Sequence, residues 1–170
     1  MYARECNHGR AGFLIASKGQ RSGKPILHQR FYSGPMTLGD NPLKVAGDLE
    51  AGGKHLAAGM EYARQGRVKD VERCADACVK AGHRVDAARV YLTAGMPHEA
   101  IGCVQGCEGS DAFRAATLFL DNSEVWAAKR CAERYLEGRD AAAIPAGEKR
   151  ILSRIFSRAG DAAMANKFLG

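Results

Sequence analysis

Hydrophobic and small residues recur at helical spacing throughout residues 54–170 of this chain. The clearest series is Val125, Ala128, Ala132 and Tyr135, whose intervals of three and four residues bring all four side chains to one side of a helix. No part of residues 54–170 alternates hydrophobic and polar residues with the period of two that a half-buried strand requires. The pattern therefore predicts an all-α fold.

Residues that favour helix ends divide this region into short segments. Pro97 suits the first position of a helix, where its missing N–H is not needed. Ser110, Ser123 and Asp161 each stand just before a hydrophobic series, as residues that cap helix N-termini do. We therefore expect several helices of moderate length joined by tight turns.

The chain also contains an internal repeat. A shift of 29 residues pairs Tyr62 with Tyr91 and Gly66 with Gly95. The same shift aligns four further pairs: Val71 with Ala100, Ala75 with Val104, Cys74 with Cys103 and Cys78 with Cys107. Another copy of the pattern consists of Phe156, Gly160, Ala165 and Leu169. An aromatic side chain fills the space between two antiparallel helices, glycine makes the tight turn, and small residues let the second helix approach closely.

This combination resembles the tetratricopeptide repeat and the related helical-hairpin repeats of coat and ciliary transport proteins. The resemblance covers residues 55–107 and 148–169. It departs from the family in its period, which is shorter than the usual ~34 residues, and in His55 and Arg84, which stand where the family has a large aromatic residue. The resemblance implies a short helical-hairpin solenoid that binds other proteins.

Residues 1–32 form a basic arm with six basic side chains and one acidic side chain. Basic, acid-poor, amphipathic N-termini resemble mitochondrial import presequences. The stretch "RFYSG" resembles a matrix processing site, which implies cleavage between Tyr32 and Ser33. A basic tail on a bacterial cytosolic protein would have the same composition, so both interpretations stay open. In either case we expect an extended and poorly ordered arm.

The remaining chain divides into two parts. Residues 33–53 hold five glycines and two prolines, a composition that predicts a linker. Residues 54–170 make up the predicted helical repeat domain. No apolar run approaches the ~20 residues of a membrane-spanning helix. Residues 1–39 carry a net charge of +5 and residues 40–170 only +1, which argues against general nucleic-acid binding by the domain.

Two pairs of cysteines could carry chemistry. Cys74 and Cys78 lie four residues apart, as do Cys103 and Cys107, so each pair would face one side of a helix. Four thiols in this pattern could bind zinc or form disulfides. The favoured interpretation is packing, because all four fall on equivalent repeat positions where a small buried residue is required.

Signatures of catalysis and of cofactor binding are absent from the sequence. The stretch "HEAIG" lacks the second histidine of a zinc protease, and "GGKH" and "SGKP" lack the upstream glycine of a phosphate-binding loop. The sequence therefore predicts neither an enzyme nor a cofactor.

A row of arginines stands out on one predicted helix. Arg150, Arg154 and Arg158 recur every four residues, where like charges repel each other. The row is either a solvated face or a docking surface for an acidic partner or a local stretch of RNA.

The expected function is that of a protein–protein interaction scaffold. With an import signal, the chain would be an accessory or assembly subunit of a mitochondrial multiprotein complex, on the matrix side. Without one, it would be a bacterial cytosolic or effector-type repeat adaptor. A metal- or redox-active helical protein is the further alternative, and it depends on the paired cysteines.

Overall fold

The structure is a computed structural model that describes residues 41–169. Within this range it contains only helices, which confirms the all-α prediction. Their bounds are α1 Pro42–Ala51, α2 His55–Arg64, α3 Val68–Lys80, α4 Arg84–Thr93, α5 Pro97–Cys103, α6 Gly109–Asp121, α7 Val125–Leu136, α8 Ala146–Arg158 and α9 Ala162–Lys167, with a 3-10 turn at Ala141–Ala143. The predicted arm, residues 1–32, lies outside the described residues.

Short turns join α2 to α3, α4 to α5, α6 to α7 and α8 to α9, which makes four successive helical hairpins in the described range. The first helices of neighbouring hairpins also touch, since α2 contacts α4, α4 contacts α6 and α6 contacts α8. Contacts between neighbouring hairpins do not by themselves define a superhelical course, so the solenoid remains a prediction. Within residues 41–169, no helix is both long and apolar enough to cross a membrane.

The turns inside the hairpins depend on left-handed backbone conformation. Gly66, Gly95 and Gly160 have φ angles of +66°, +72° and +76°. In each turn the N–H of the next residue donates to the carbonyl of the aromatic residue five positions earlier: Arg67 to Tyr62 at 3.0 Å, Met96 to Tyr91 at 2.9 Å and Asp161 to Phe156 at 2.9 Å. This bond closes the helix end as in a Schellman motif. The repeat identified in the sequence is therefore a repeat of turn geometry.

The hairpin of α6 and α7 has the same turn, although no glycine marks it. Ser123 has a φ of +65°, and the N–H of Glu124 donates to the carbonyl of Phe119 at 2.9 Å. Ala128 and Ala132 follow at the offsets of the other copies and are fully buried. The structure thus differs from the prediction that Ser123 caps a helix, because this serine occupies the position of the turn glycine.

Of the other predictions for helix ends, two agree with the structure and one does not. Pro97 is the first residue of α5, and Asp161 caps α9 by accepting a hydrogen bond from the N–H of Met164 at 3.2 Å. Both are as predicted. Ser110 lies inside α6, which begins one residue earlier at Gly109, so it is not a cap.

The first helix of each hairpin carries a buried aromatic residue and, three positions before it, a buried small residue. The aromatic residues are Tyr62, Tyr91, Phe119 and Phe156, and the small residues three positions before them are Gly59, Ala88, Ala116 and Ser153. A Cβ atom at Gly59 would lie only 2.7 Å from Cγ1 of Val90 and 3.0 Å from Cβ of Cys74. At Gly59, the absence of a side chain therefore lets α3 and the first helix of the next hairpin approach closely.

Part of the predicted linker 33–53 is a helix. In α1, Pro42 takes the first position and Ala46 is fully buried. Glu50 receives two hydrogen bonds from Arg73 of α3, at 2.6 and 2.7 Å, and one from the hydroxyl of Tyr62 at 3.1 Å. Pro42 begins this helix, Gly47 lies inside it and Gly52 and Gly53 follow it, so residues 42–51 are part of the helical domain and not a linker.

Candidate functional site

The fourth hairpin, formed by α8 and α9, packs through one side of α8. Leu152, Ile155 and Phe156 of α8 are fully buried, and the ring of Phe156 stacks on Phe168 with 6.1 Å between centroids. Because these residues fill one side of α8, the exposed residues Arg154, Ser157 and Arg158 lie on the other side of the helix. The arginine row predicted from the sequence lies on that side.

Two polar contacts fix the starts of α8 and α9 against α7. Tyr135 donates a hydrogen bond from its hydroxyl to Glu148, in the first turn of α8. Lys129 donates to the carboxylate of Asp161 at 2.9 Å, just before α9. The Lys129 ammonium holds the pKa of Asp161 below its usual value. Neither contact involves an arginine of the row.

Arg150, Arg154 and Arg158 are all exposed. None of them forms an ion pair with a carboxylate of residues 41–169. By contrast, Arg64 pairs with Glu61 at 2.6 Å. The nearest polar partner of Arg158 is the carbonyl of Leu120, at 3.5 Å, which is the outer limit of a hydrogen bond.

A cleft of about 320 Å³ lies between α8 and α9. Arg154 and Arg158 form part of its wall, and Ser153, Ser157 and Asn166 add polar side chains. Two alanines and a leucine supply the apolar surface, and none of the described residues that line the cleft is a carboxylate. We call this cleft together with Arg150, Arg154 and Arg158 the α8–α9 face. It combines guanidinium, hydroxyl, amide and aliphatic side chains.

Leu169 distinguishes this face from the other hairpins. Its side chain is 69% exposed, whereas Ala75, Val104 and Ala132, at the same offset from their turns, are at most 2% exposed. The exposed aliphatic side chain of Leu169 thus lies at the same cleft as Arg154 and Arg158. The repeat in the sequence assigns Leu169 to this offset, but it does not predict that the side chain is exposed.

The paired cysteines are thiols in the interior. Cys74, Cys78 and Cys107 are buried, and Cys103 is partly buried. Burial raises the pKa of all four, that of Cys74 to about 11. A thiol with a raised pKa is protonated at neutral pH, which disfavours both metal ligation and nucleophilic attack.

The fifth described cysteine behaves in the same way, since burial raises the pKa of Cys131 to about 11. Across residues 41–169, no three side chains of the kinds that ligate metals come together. These observations support packing as the role of the described cysteines.

Comparisons of this chain with family models, with curated proteins and with solved structures found no match.

Proposed function

We propose that this chain is a protein–protein interaction scaffold that binds a partner through the α8–α9 face. The observation that carries the proposal is the row of exposed arginines that pair with no carboxylate of residues 41–169, beside a cleft with an exposed leucine. Arginine is enriched at protein interfaces, and an apolar cleft supplies the area that excludes water. The buried cores of the preceding hairpins provide a rigid support for that face.

The cellular setting follows from the basic arm. With an import signal in residues 1–32, the chain is an accessory or assembly subunit of a mitochondrial complex. With a retained arm, it is a bacterial cytosolic or effector-type adaptor. The mass of the native protein distinguishes the two, because import predicts an N-terminus at or near Ser33, whereas recovery of intact residues 1–32 from the native source excludes it.

Partner capture with a charge-reversed variant tests the binding role. Arg150→Glu, Arg154→Glu and Arg158→Glu are combined in one full-length protein, and partners are captured from native extract at low and at high salt. We expect the wild type to retain partners that the variant loses, with the difference largest at low salt because salt screens charge contacts.

A matched control carries the same change in charge elsewhere. Lys44→Glu, Lys69→Glu and Arg89→Glu alter three exposed residues on α1, α3 and α4. Equal capture by the wild type and both variants at both salt concentrations would contradict the proposed binding face. Loss of the captured partner after nuclease treatment would instead indicate a local RNA contact.

A further inference from the structure

In the first hairpin, an arginine is bound by two carboxylates and a tyrosine. Arg73 of α3 donates hydrogen bonds to Glu50 at 2.6 and 2.7 Å and to Asp70 at 2.7 Å. Its guanidinium carbon lies 5.9 Å from the ring centroid of Tyr62, whose hydroxyl donates to Glu50 at 3.1 Å. The guanidinium thus combines charge-assisted hydrogen bonds with a cation–π contact.

The same combination recurs at α7. The hydroxyl of Tyr135 donates to Glu148, and the guanidinium carbon of Arg139 lies 4.3 Å from the centroid of the Tyr135 ring. Two of the three tyrosines in residues 41–169 therefore have a carboxylate at the hydroxyl and an arginine over the ring. The third tyrosine is Tyr91.

Tyr91 corresponds to Tyr62 in the repeat, but it has neither contact within residues 41–169. Its side chain is only 8% exposed, and its hydroxyl forms no hydrogen bond with another residue of that range. Burial is the main cause that raises the pKa of this hydroxyl, and the charge of Asp76 is the next largest. Glu72 and Glu99 also raise this pKa. The unpartnered hydroxyl therefore lies near three carboxylates.

The register of the repeat identifies what the second hairpin lacks. The shift of 29 residues pairs Tyr62 with Tyr91 and Asp70 with Glu99, but it pairs Arg73 with Gly102. Gly102 is exposed, and an added Cβ atom there would meet no atom within 4 Å. The second hairpin thus has the tyrosine and the acidic residue of the first, and open space where the arginine side chain would begin.

The helix before α4 supplies the remaining carboxylates. In the first hairpin, α1 packs on α2 and carries Glu50; α3 packs on α4 in the same order and carries Glu72 and Asp76, one turn apart. Glu72, Asp76 and Glu99 are exposed, and none of them forms an ion pair within residues 41–169. A cation among these three negative charges would relieve their mutual repulsion.

We propose that Tyr91, Glu72, Asp76 and Glu99, which we call the Tyr91 cluster, bind an arginine side chain of a partner protein. Arginine suits the cluster because its planar guanidinium can pair with carboxylates and stack on an aromatic ring at once, whereas a lysine ammonium acts as a point charge. The cluster belongs to α3, α4 and α5 and shares no residue with the α8–α9 face, so it is independent of the function proposed for that face.

An arginine placed at Gly102 tests the geometry without a partner. Gly102→Arg should raise the Tm by about 2 °C more than Gly102→Gln, because glutamine has a similar helix propensity but no charge. The carboxylate variant, which combines Glu72→Gln, Asp76→Asn and Glu99→Gln, should abolish this excess. If Gly102→Arg has no excess in Tm over Gly102→Gln, the cluster does not accept a guanidinium and the proposal is wrong.

A basic peptide tests binding in trans. The probe is a fluorescein-labelled peptide of about 12 residues in which arginines alternate with glycine and serine, and matched peptides carry lysine or neutral citrulline instead of arginine. Fluorescence anisotropy measures the binding of each to the full-length protein. We expect a dissociation constant below about 1 mM for the arginine peptide and about threefold weaker binding of the lysine peptide. The citrulline peptide should show no saturable binding up to about 1 mM.

Variants of the protein assign this binding to the cluster. The carboxylate variant and Gly102→Arg should each weaken binding of the arginine peptide by at least about fivefold, the first by removing charge and the second by filling the site. The control combines Glu108→Gln, Asp121→Asn and Glu137→Gln, which neutralise three exposed carboxylates that form no ion pair within residues 41–169. This control should bind the arginine peptide like the wild type.

Several outcomes overturn the proposal. These are equal affinity for the arginine and lysine peptides, an equal loss in the control and the carboxylate variant, and no saturable binding of the arginine peptide up to about 1 mM. Self-association that the carboxylate variant abolishes in sedimentation experiments would assign the cluster to an arginine of a second copy of this chain, and it also overturns the proposal of a partner protein. Thermal unfolding of each variant verifies that the fold is intact.

Discussion

The first and fourth hairpins have the same turn but different surroundings. In the first hairpin, α4 closes over Gly59, and Arg73 forms two hydrogen bonds with Glu50 of α1. In the fourth hairpin, Ser153 is also buried but borders the α8–α9 cleft, and Arg154 has no carboxylate partner among residues 41–169. The same pattern of aromatic residue and left-handed turn therefore lies at a covered interface in the first hairpin and beside an accessible face in the fourth. The difference lies in what covers the hairpin.

The strongest way to break this comparison is to fill the small position. Gly59→Val should destabilise the fold by about 3 kcal/mol, because the added side chain would overlap Val90 and Cys74. Ser153→Val, the equivalent change at a buried residue that also borders the cleft, should cost less than Gly59→Val, because the cleft leaves room on one side. Urea unfolding measures both. An equal cost at the two positions would mean that the α8–α9 face is as closely packed as the first hairpin.

Removal of buried sulfur should have the next largest effect. Cys78→Ala combined with Cys107→Ala leaves two small cavities, and we expect a loss of about 2 kcal/mol in total with helicity unchanged. Circular dichroism and thermal unfolding measure these effects. Chelators and mild reductants should leave the wild type unaffected. Loss of the fold on such treatment would support the metal or disulfide alternative.

The turns offer a paired test of backbone conformation. Gly66→Val should cost about 1–2 kcal/mol, because a side chain is strained at its φ of +66°. Ser123→Gly, at a φ of +65°, should leave the free energy of unfolding unchanged or raise it by about 0.5 kcal/mol. Lys69→Ala on the exposed side of α3 is the control with no expected effect. Equal effects of all three changes would contradict the role of the turns.

These turns also show how far the sequence predicts the fold. The pairs Tyr62–Gly66 and Tyr91–Gly95 were recognisable because glycine marks the left-handed residue. The pair Phe119–Ser123 was missed because serine rarely takes that conformation and instead suggests a helix cap. A search of the sequence that allows any residue, and not only glycine, four positions after the aromatic residue, with small residues at the offsets of the other copies, would have found this pair.

Other parts of the structure depend on contacts that no local pattern contains. The glycines of residues 33–53 suggested a linker, yet α1 forms because its buried Ala46 and its Glu50 find partners elsewhere in the domain. The spacing of Arg150, Arg154 and Arg158 in the sequence was enough to predict the arginine row. The cleft beside it could not be predicted, because it depends on which hairpin faces have a neighbour.

Acidification should weaken the contacts of Glu50 with Arg73 and Tyr62. Hydrogen bonds from Arg73 hold the pKa of Glu50 below its usual 4.5, and Arg73 likewise lowers the pKa of Asp70 from 3.8. A carboxyl whose pKa is lower in the folded than in the unfolded state stabilises the fold above the unfolded value. That stability is lost as the pH falls from about 4.5 through the folded pKa values.

The variant Glu50→Gln should therefore be less stable than the wild type at pH 7, and the difference should shrink as the pH is lowered below 4.5. Urea unfolding across this pH range measures the change. Asp161 also has a lowered pKa, because of Lys129, so part of the acid dependence will remain in the variant. An acid profile identical to that of the wild type would show that Glu50 contributes nothing to it.

The smallest effect on stability is expected at the arginine row itself. Arg150→Glu, Arg154→Glu and Arg158→Glu together should change the free energy of unfolding by less than about 1 kcal/mol, because exposed charges without partners contribute little to a fold. The change has a cost at Arg158, which ends α8, where the helix dipole favours a positive charge. It also removes repulsion between neighbouring arginines. The control Lys44→Glu, Lys69→Glu, Arg89→Glu should change the free energy of unfolding by a similarly small amount.

If the arginine variant unfolds much more easily in urea than this control, the arginines support the fourth hairpin, and loss of partner capture in that variant would reflect damage to the fold. If both variants are as stable as the wild type and only the arginine variant loses its partner, the α8–α9 face differs from the first hairpin in function as well as in packing.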